Sequence, residues 1–304
     1  MNNQQTYRYQ ILSEFWIKVL GFVFMACDHI GVFMLSYAEP SSNLYEAALV
    51  FRIIGRLAFP LFCFMLAEGM RYTHSKPKYL LRLLLLHLLI TAAQLLAPYF
   101  FHIDLSNAAN PFADLLLLGL LLWALSSKGW YKLLALLPLG VLILCYAVSV
   151  YEVYNDVTVY WWPFSLRPGY SMLGLFFALG FYYSPKIAIF ASHKVNQSIG
   201  ISDETFLEIP SGRRLINTLN FAFLLSTMLL FWCISYIGMT STGFSPFDPF
   251  GMRVESWGIL AGILLLLYRG DRGYDAKWFR YFEYAFYPLH IVILYLIFFA
   301  IFGA

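Results

Sequence analysis

Apolar and polar positions along this chain alternate on the scale of a membrane rather than of a soluble helix. Apolar runs occupy residues 15–36, 47–70, 79–101, 112–126, 130–151, 170–190, 215–238, 254–268 and 281–303, with short polar segments between them. A bilayer core takes ~20 apolar residues of helix. The pattern therefore predicts an all-α, polytopic transmembrane helical bundle of about nine spans, with a range of eight to ten, forming a single integral membrane domain over residues 1–304. The fourth and eighth runs are short at ~15 residues, which suits tilted, re-entrant or neighbour-buried helices. No internal repeat is visible, so the pattern gives no support to an inverted-repeat transporter.

The polar segments set the orientation. Those after the second, fourth, sixth and eighth runs carry nearly all the loop Lys and Arg, including Arg71, Lys76, Lys78, Lys128, Lys186, Arg213, Arg269 and Arg272, whereas the others hold only Arg167 and Arg253. By the positive-inside rule the N-terminus is cytoplasmic and the C-terminus is outside. The longest polar connection, residues 184–214, then reads as a cytoplasmic loop or small surface element. Trp161, Trp162 and Pro163 fall in an outer segment of interfacial character. The opening stretch MNNQQTYRYQ lacks the order of a cleaved signal peptide, so the first run is expected to stay as a span.

Composition sharpens the class. The chain is 61% hydrophobic and 12% charged, with a mean hydropathy of +0.68, outside soluble globular usage. Its partner is the lipid bilayer. The net charge of +3 is spread over loops, which argues against a nucleic-acid partner. Cys27, Cys63, Cys145 and Cys233 each stand alone in an apolar segment, the pattern of neither a disulfide framework nor a zinc site.

Against this background the charges inside the runs stand out, because ionisable groups in hydrocarbon are costly and usually face a bundle interior or a functional path. Arg52 and Arg56 are spaced i,i+4 in the second run and share one helix face. A neighbouring span must supply their carboxylate, and the first run offers Asp28 beside His29. At 1.5 Å per residue Asp28 and His29 lie ~20 Å in from the cytoplasmic end, and Arg52 and Arg56 ~8–14 Å in from the outer end, so the pairs meet at similar depth. Tyr287, Pro288 and His290 enter from inside and lie ~10–14 Å along the last run. Glu68, Arg71 and Tyr72 sit at the cytoplasmic end of the second. The result is a polar seam from a basic cytoplasmic mouth to an Asp/His/Arg cluster in the outer half. Asp28 and His29 are ~100° apart on their helix, so neither orients the other. The plainer alternatives are that His29 is a hydrogen-bonded buried histidine, that Asp28 is only a counter-charge, and that His290 marks a proline kink. His87 and His102 read as ordinary.

DHI at 28–30, RIIGRLAFPLFCFMLAEGMRYT at 52–73, KYLLRL at 78–83, WG at 257–258, LYRGDRG at 267–273 and YAFYPLHI at 284–291 together resemble the TraX family. Its members are multi-span bacterial membrane proteins, and its namesake acetylates the N-terminus of a conjugative pilin. The family is similar in turn to membrane acyltransferases that pass an acyl group from cytoplasmic acyl-CoA to an acceptor at the outer face. The resemblance makes Asp28, His29, Arg52, Arg56, Glu68 and His290 motif positions and implies a multi-pass protein of the bacterial cytoplasmic (inner) membrane.

The residue chemistry agrees. Acyl transfer needs a base working near neutral pH and a group that stabilises an oxyanion. His29 or His290 supplies the first and Arg52 or Arg56 the second, with Asp28 completing the catalytic set. A phosphate-bearing donor, acetyl-CoA, calls for cations at the cytoplasmic mouth, where Arg71, Lys76, Lys78, Arg82, Arg269 and Arg272 lie with Glu68 and Tyr72. No metal is required. The acceptor expected is a pilin-like protein amine, a glycan or a small amine. Two rivals use the same residues differently: a proton-coupled transporter or channel with Asp28, His29 and Glu68 as relay groups, and a structural partner of a secretion or conjugation complex in which they are silent.

Overall fold

A computed structural model describes residues 9–101, 110–159, 161–162, 164–243, 245 and 254–303. His102, Pro163 and Arg253 lie outside the described residues. In chain order the helices are α1 (Glu14–Tyr37), α2 (Asn43–Gly55), α3 (Ala58–Tyr72), α4 (Lys76–Phe101), α5 (Pro111–Ser126), α6 (Leu136–Asn155), α7 (Ser171–Ser198), α8 (Asp203–Glu208), α9 (Pro210–Thr242), α10 (Ala261–Leu266) and α11 (Lys277–Phe302). 3₁₀ segments Gly129–Ala135 and Ser256–Leu260 lead into α6 and α10. Among the described residues there is no strand, only an isolated bridge between Leu12 and Tyr268.

The chain is a polytopic helical membrane protein. Among the described residues, 7 helices are long and apolar enough to cross a bilayer, and Pro111–Ser126 and Ser256–Leu266 are shorter apolar helices, so each apolar run of the sequence has its helical counterpart. Leu81, Leu85, Leu88 and Leu89 of α4 are exposed, as a helix face turned to lipid should be. Closed helices suit that solvent because every backbone group bonds within its own segment.

Two segments depart from the sequence reading. The second run is not one straight helix: α2 ends at Gly55 and α3 begins at Ala58. Pro60 has no N–H and its ring excludes the carbonyl four residues earlier, that of Arg56, from the helical ladder. The break therefore falls at the second arginine. The polar connection 184–214, expected as a loop or small surface element, is mostly helix. Ser184, Ala188 and Asn196 form a buried stripe at i, i+4 and i+12 that carries α7 on to Ser198. After it Ser202 caps α8 by accepting from the Thr205 N–H at 3.2 Å, and Phe206 packs with Ala188 and Ile216.

Two compact units organise the chain: Met1–Met65, Tyr183–Leu229 and Phe250–Ala304 form the first, and Leu66–Tyr182 with Leu230–Pro249 the second. The core of the second contains Leu118, Leu122, Phe177 and Phe181. It is tied by Asp114 of α5, whose carboxylate accepts from the N–H groups of Gly169 (2.8 Å), Tyr170 (3.1 Å) and Ser171 (2.8 Å) at the start of α7. Arg167, 2% exposed, donates through both terminal nitrogens to Glu152, at 2.6 and 2.9 Å.

Candidate functional site

The intramembrane charges of the first unit converge. On α1, Phe22, Met25, His29, Phe33 and Tyr37 recur at helical spacing, and this stripe faces α11, where Phe22 meets Phe286 at 4.8 Å, Phe33 meets Phe298 at 5.4 Å and Tyr37 meets Phe302 at 4.8 Å between ring centroids. Asp28, one residue round the helix, faces α2 instead. Adjacent residues of α1 thus serve two neighbours. A Cβ on Gly55 would collide with the backbone and Cβ of Asp28, so its absence lets α1 and α2 approach closely, as small residues do between membrane helices.

That approach joins Asp28 to both arginines. Arg52 Nη1 donates to Asp28 Oδ2 at 2.6 Å, and Arg56 Nη2 donates to Asp28 Oδ1. Arg56 Nη1 donates in turn to Glu255 Oε1, just ahead of the 3₁₀ segment. The four groups form an alternating chain, Arg52–Asp28–Arg56–Glu255, with as many positive as negative charges. Neutrality matters here because an unbalanced charge taken from water carries a penalty of several kcal/mol. The two arginines differ in exposure. The Arg56 side chain is 5% exposed and the Arg52 side chain 25%. Among the described residues Arg52 Nη1 has Asp28 as acceptor, and its Nε and Nη2 have none. Arg52 is the end of the chain with donors to spare.

The histidines form a second, abutting arrangement. His29 Nδ1 lies 2.9 Å from His290 Nε2 and 3.0 Å from the Met25 carbonyl, and His290 Nδ1 lies 2.7 Å from the Phe286 carbonyl. A carbonyl only accepts, so each Nδ1 carries a proton and His290 Nε2 accepts from His29. His290 is then a neutral Nδ1–H tautomer, and the apolar setting of His29 among aromatic rings favours the same neutral form there. The lone pair of His29 Nε2 has no hydrogen-bonding partner among the described residues. Tyr287 stands edge-on to both rings, with centroids 5.6 Å from His29 and 5.4 Å from His290, and Phe286 stacks on His290 at 4.9 Å. These contacts lock the ring planes. Towards the start of both helices Lys18 bridges Glu14 of α1 and Glu283 of α11, each at 3.0 Å.

Asp28, His29, Arg52, Arg56 and His290 are therefore brought together within one unit. The residues expected at the cytoplasmic mouth are spread more widely. In the second unit, Arg71 pairs with Glu68 and donates to the carbonyls of Phe181 (2.6 Å) and Tyr182 (3.1 Å), which makes it a clamp between helices. Lys76 donates to Ser126 Oγ at 2.7 Å, while Tyr72, Lys78 and Arg82 are exposed. In the first unit, Arg269 pairs with Asp271 and Arg272 lies 3.7 Å from Asp275.

Glu255 is not among the residues expected from the sequence. Its signal was present: it is the one charged residue in the apolar run 254–268. The break at Arg56 was also written in the sequence, in Pro60.

A family described as TraX protein matches residues 13–189, more than half of the chain. Over 72 residues the chain is 40% identical to the probable fimbrial assembly protein FimC, serogroup H1, of Dichelobacter nodosus, a stretch that makes up 24% of this chain and 27% of that one. The chain thus aligns with little more than a quarter of that relative's length. No solved structure matches.

Proposed function

Because the chain belongs to the TraX family, whose members are linked to pilin acetylation, we propose that it is a membrane-embedded acetyltransferase. It would move an acetyl group from cytoplasmic acetyl-CoA to an amine or hydroxyl at or near the outer face of the bacterial cytoplasmic membrane. The observation that carries this reading is the neutral His29–His290 dyad next to an arginine with unused donors. Acyl transfer asks for those two things side by side: a proton acceptor with a free lone pair and a cation for the oxyanion. A proton relay would use the first but has no need of the second.

The acceptor's N–H or O–H meets the thioester carbonyl carbon as its proton passes to His29 Nε2. His29 becomes an imidazolium, and its Nδ1–H leans on His290 Nε2, so the pair spreads the charge. The carbonyl oxygen becomes an oxyanion facing Arg52 Nε and Nη2. When the tetrahedral intermediate collapses, the carbon–sulfur bond breaks and the coenzyme A sulfur takes the proton back from His29 Nε2. Acetylated acceptor and free thiol leave, and the histidines return to their starting tautomers. Of the cations in the same unit, the exposed Arg272 would meet the donor's phosphates.

The partial relative's name, a fimbrial assembly protein, favours a pilin-like protein amine over a glycan or a small amine. The test is release of coenzyme A thiol by purified protein in detergent with acetyl-CoA and an N-terminal pilin peptide, beside mass spectrometry of surface proteins from cells with and without the gene. Thiol release that needs the peptide and disappears in His29→Ala is expected. Proton flux through reconstituted vesicles with no acetyl-CoA consumed would instead establish the transporter reading.

A further inference from the structure

Glu255 has two structural features arranged around it that its place in the sequence does not explain. The first is the interruption at Arg56, which Pro60 forces by excluding the Arg56 carbonyl from the helix. The second is Gly258, one 3₁₀ turn after Glu255. A Cβ there would lie 3.2 Å from the Arg56 carbonyl, 3.4 Å from Pro60 Cγ and 2.9 Å from Met228 Cε. Side chains three apart on a 3₁₀ helix eclipse, so the face that Gly258 leaves bare is the face from which Glu255 reaches Arg56. The segment is thus fitted closely against the broken helix, and its one carboxylate meets the interior arginine.

Consider what Asp28 would do without that contact. Arg56 presents a guanidinium fork that holds a carboxylate best through two parallel hydrogen bonds. With its second edge unoccupied, Arg56 would draw both oxygens of Asp28 and leave Arg52 untethered. Glu255 occupies that edge, which keeps Asp28 Oδ1 on Arg56 and frees Oδ2 for Arg52 at 2.6 Å. We infer that Glu255 is a positioning residue of the transfer site: through Arg56 and Asp28 it fixes the guanidinium of Arg52 beside His29 while touching no reacting atom. This rests on the acetyltransferase reading for its kinetic consequence, though not for its geometry.

The experiment is a double-mutant cycle between Glu255→Gln and Arg52→Ala in the full-length protein, with Glu255→Asp as the conservative variant. It reads kcat and donor KM from thiol release and the thermal unfolding midpoint in detergent. Glu255→Gln keeps an acceptor and removes the charge. It should lower kcat by roughly 10- to 100-fold, the scale of a misplaced catalytic group, with donor KM within about twofold. Glu255→Asp should recover part of the loss. In the Arg52→Ala background Glu255→Gln should cost nothing more, because its effect passes through Arg52. Wild-type kcat in Glu255→Gln, or an equal fold-loss in both backgrounds, overturns the assignment. If the wild-type protein consumes no acetyl-CoA with any acceptor, the functional reading fails, and the unfolding midpoints then decide on Glu255 alone: non-additive shifts support the coupled chain and additive shifts overturn it.

Discussion

The two compact units bury charge in different ways. In the second unit backbone takes a large share: Asp114 takes three N–H groups at the start of α7, Arg71 is divided between Glu68 and two carbonyls of the same helix, and Arg167 and Glu152 close on each other as a two-membered pair. In the first unit they end on one another, and the chain of four stops at an arginine with donors left over. Backbone partners fix helices in place and leave nothing for a substrate. Side-chain partners hold a charge in hydrocarbon while keeping part of its valence open. Burial alone would not separate these cases; the identity of the partners does.

Breaking the first unit's chain should have the largest effect. Asp28→Leu removes the carboxylate that both arginines share and leaves Glu255 alone to balance them, and removal of one partner from a buried ion pair typically destabilises by about 3–5 kcal/mol. Denaturant unfolding in detergent should record a loss of that size, or no folded protein at all. His29→Ala should leave folding and donor KM nearly intact and lower turnover by about 100-fold, equivalent to about 2.7 kcal/mol of barrier. His290→Ala should fall by a similar factor, and the double variant no further, because residues that act as one unit are not additive. An additive double variant would mean that the histidines act separately.

The second unit should behave in the reverse sense. Asp114→Asn weakens the seat of α7 and should lower stability by about 1–3 kcal/mol, yet turnover of the folded fraction at saturating substrate should stay near wild type. A large fall in turnover there would end the contrast between the units. Smaller still is Arg272→Ala on the exposed segment ahead of α11, which on the proposed donor contact should raise donor KM a few-fold and flatten its salt dependence. The smallest effect belongs to Asp275, outside the spans, whose carboxyl is held below the usual range by the hydrogen bond from Arg280. Its contribution is present above the unfolded-state value and fades as pH falls through the folded one. The pair is solvent-exposed, so Asp275→Asn should move the unfolding free energy by less than about 1 kcal/mol.

How much of this was legible beforehand follows from the range of each force. Apolar length by itself specified the helical segments, since a bilayer demands the same ~20 residues wherever they lie in the chain. It also exposed Asp28, Arg52 and Arg56 as an ionic set, because lone charges in hydrocarbon must find each other. The segment 184–214 was open between a loop and a small surface element because polarity alone does not separate the two, and the structure makes most of it helix.

Other features required the tertiary structure. His29 and His290 are 261 residues apart, and no periodicity within either helix states that their rings touch. The carbonyls that set the tautomers, Met25 and Phe286, lie one turn back on each histidine's own helix, but the contact between the two rings exists only through the packing of α1 on α11. The division of labour between Arg52 and Arg56 hangs on Glu255, brought 199 residues along the chain to the break that Pro60 makes. Sequence determined which groups were too polar for the membrane to leave unpaired, because that penalty is local to each residue. Which of them share a partner, and which keeps a free donor or lone pair, was decided only by helix packing, because hydrogen bonds act over about 3 Å and between chosen atoms.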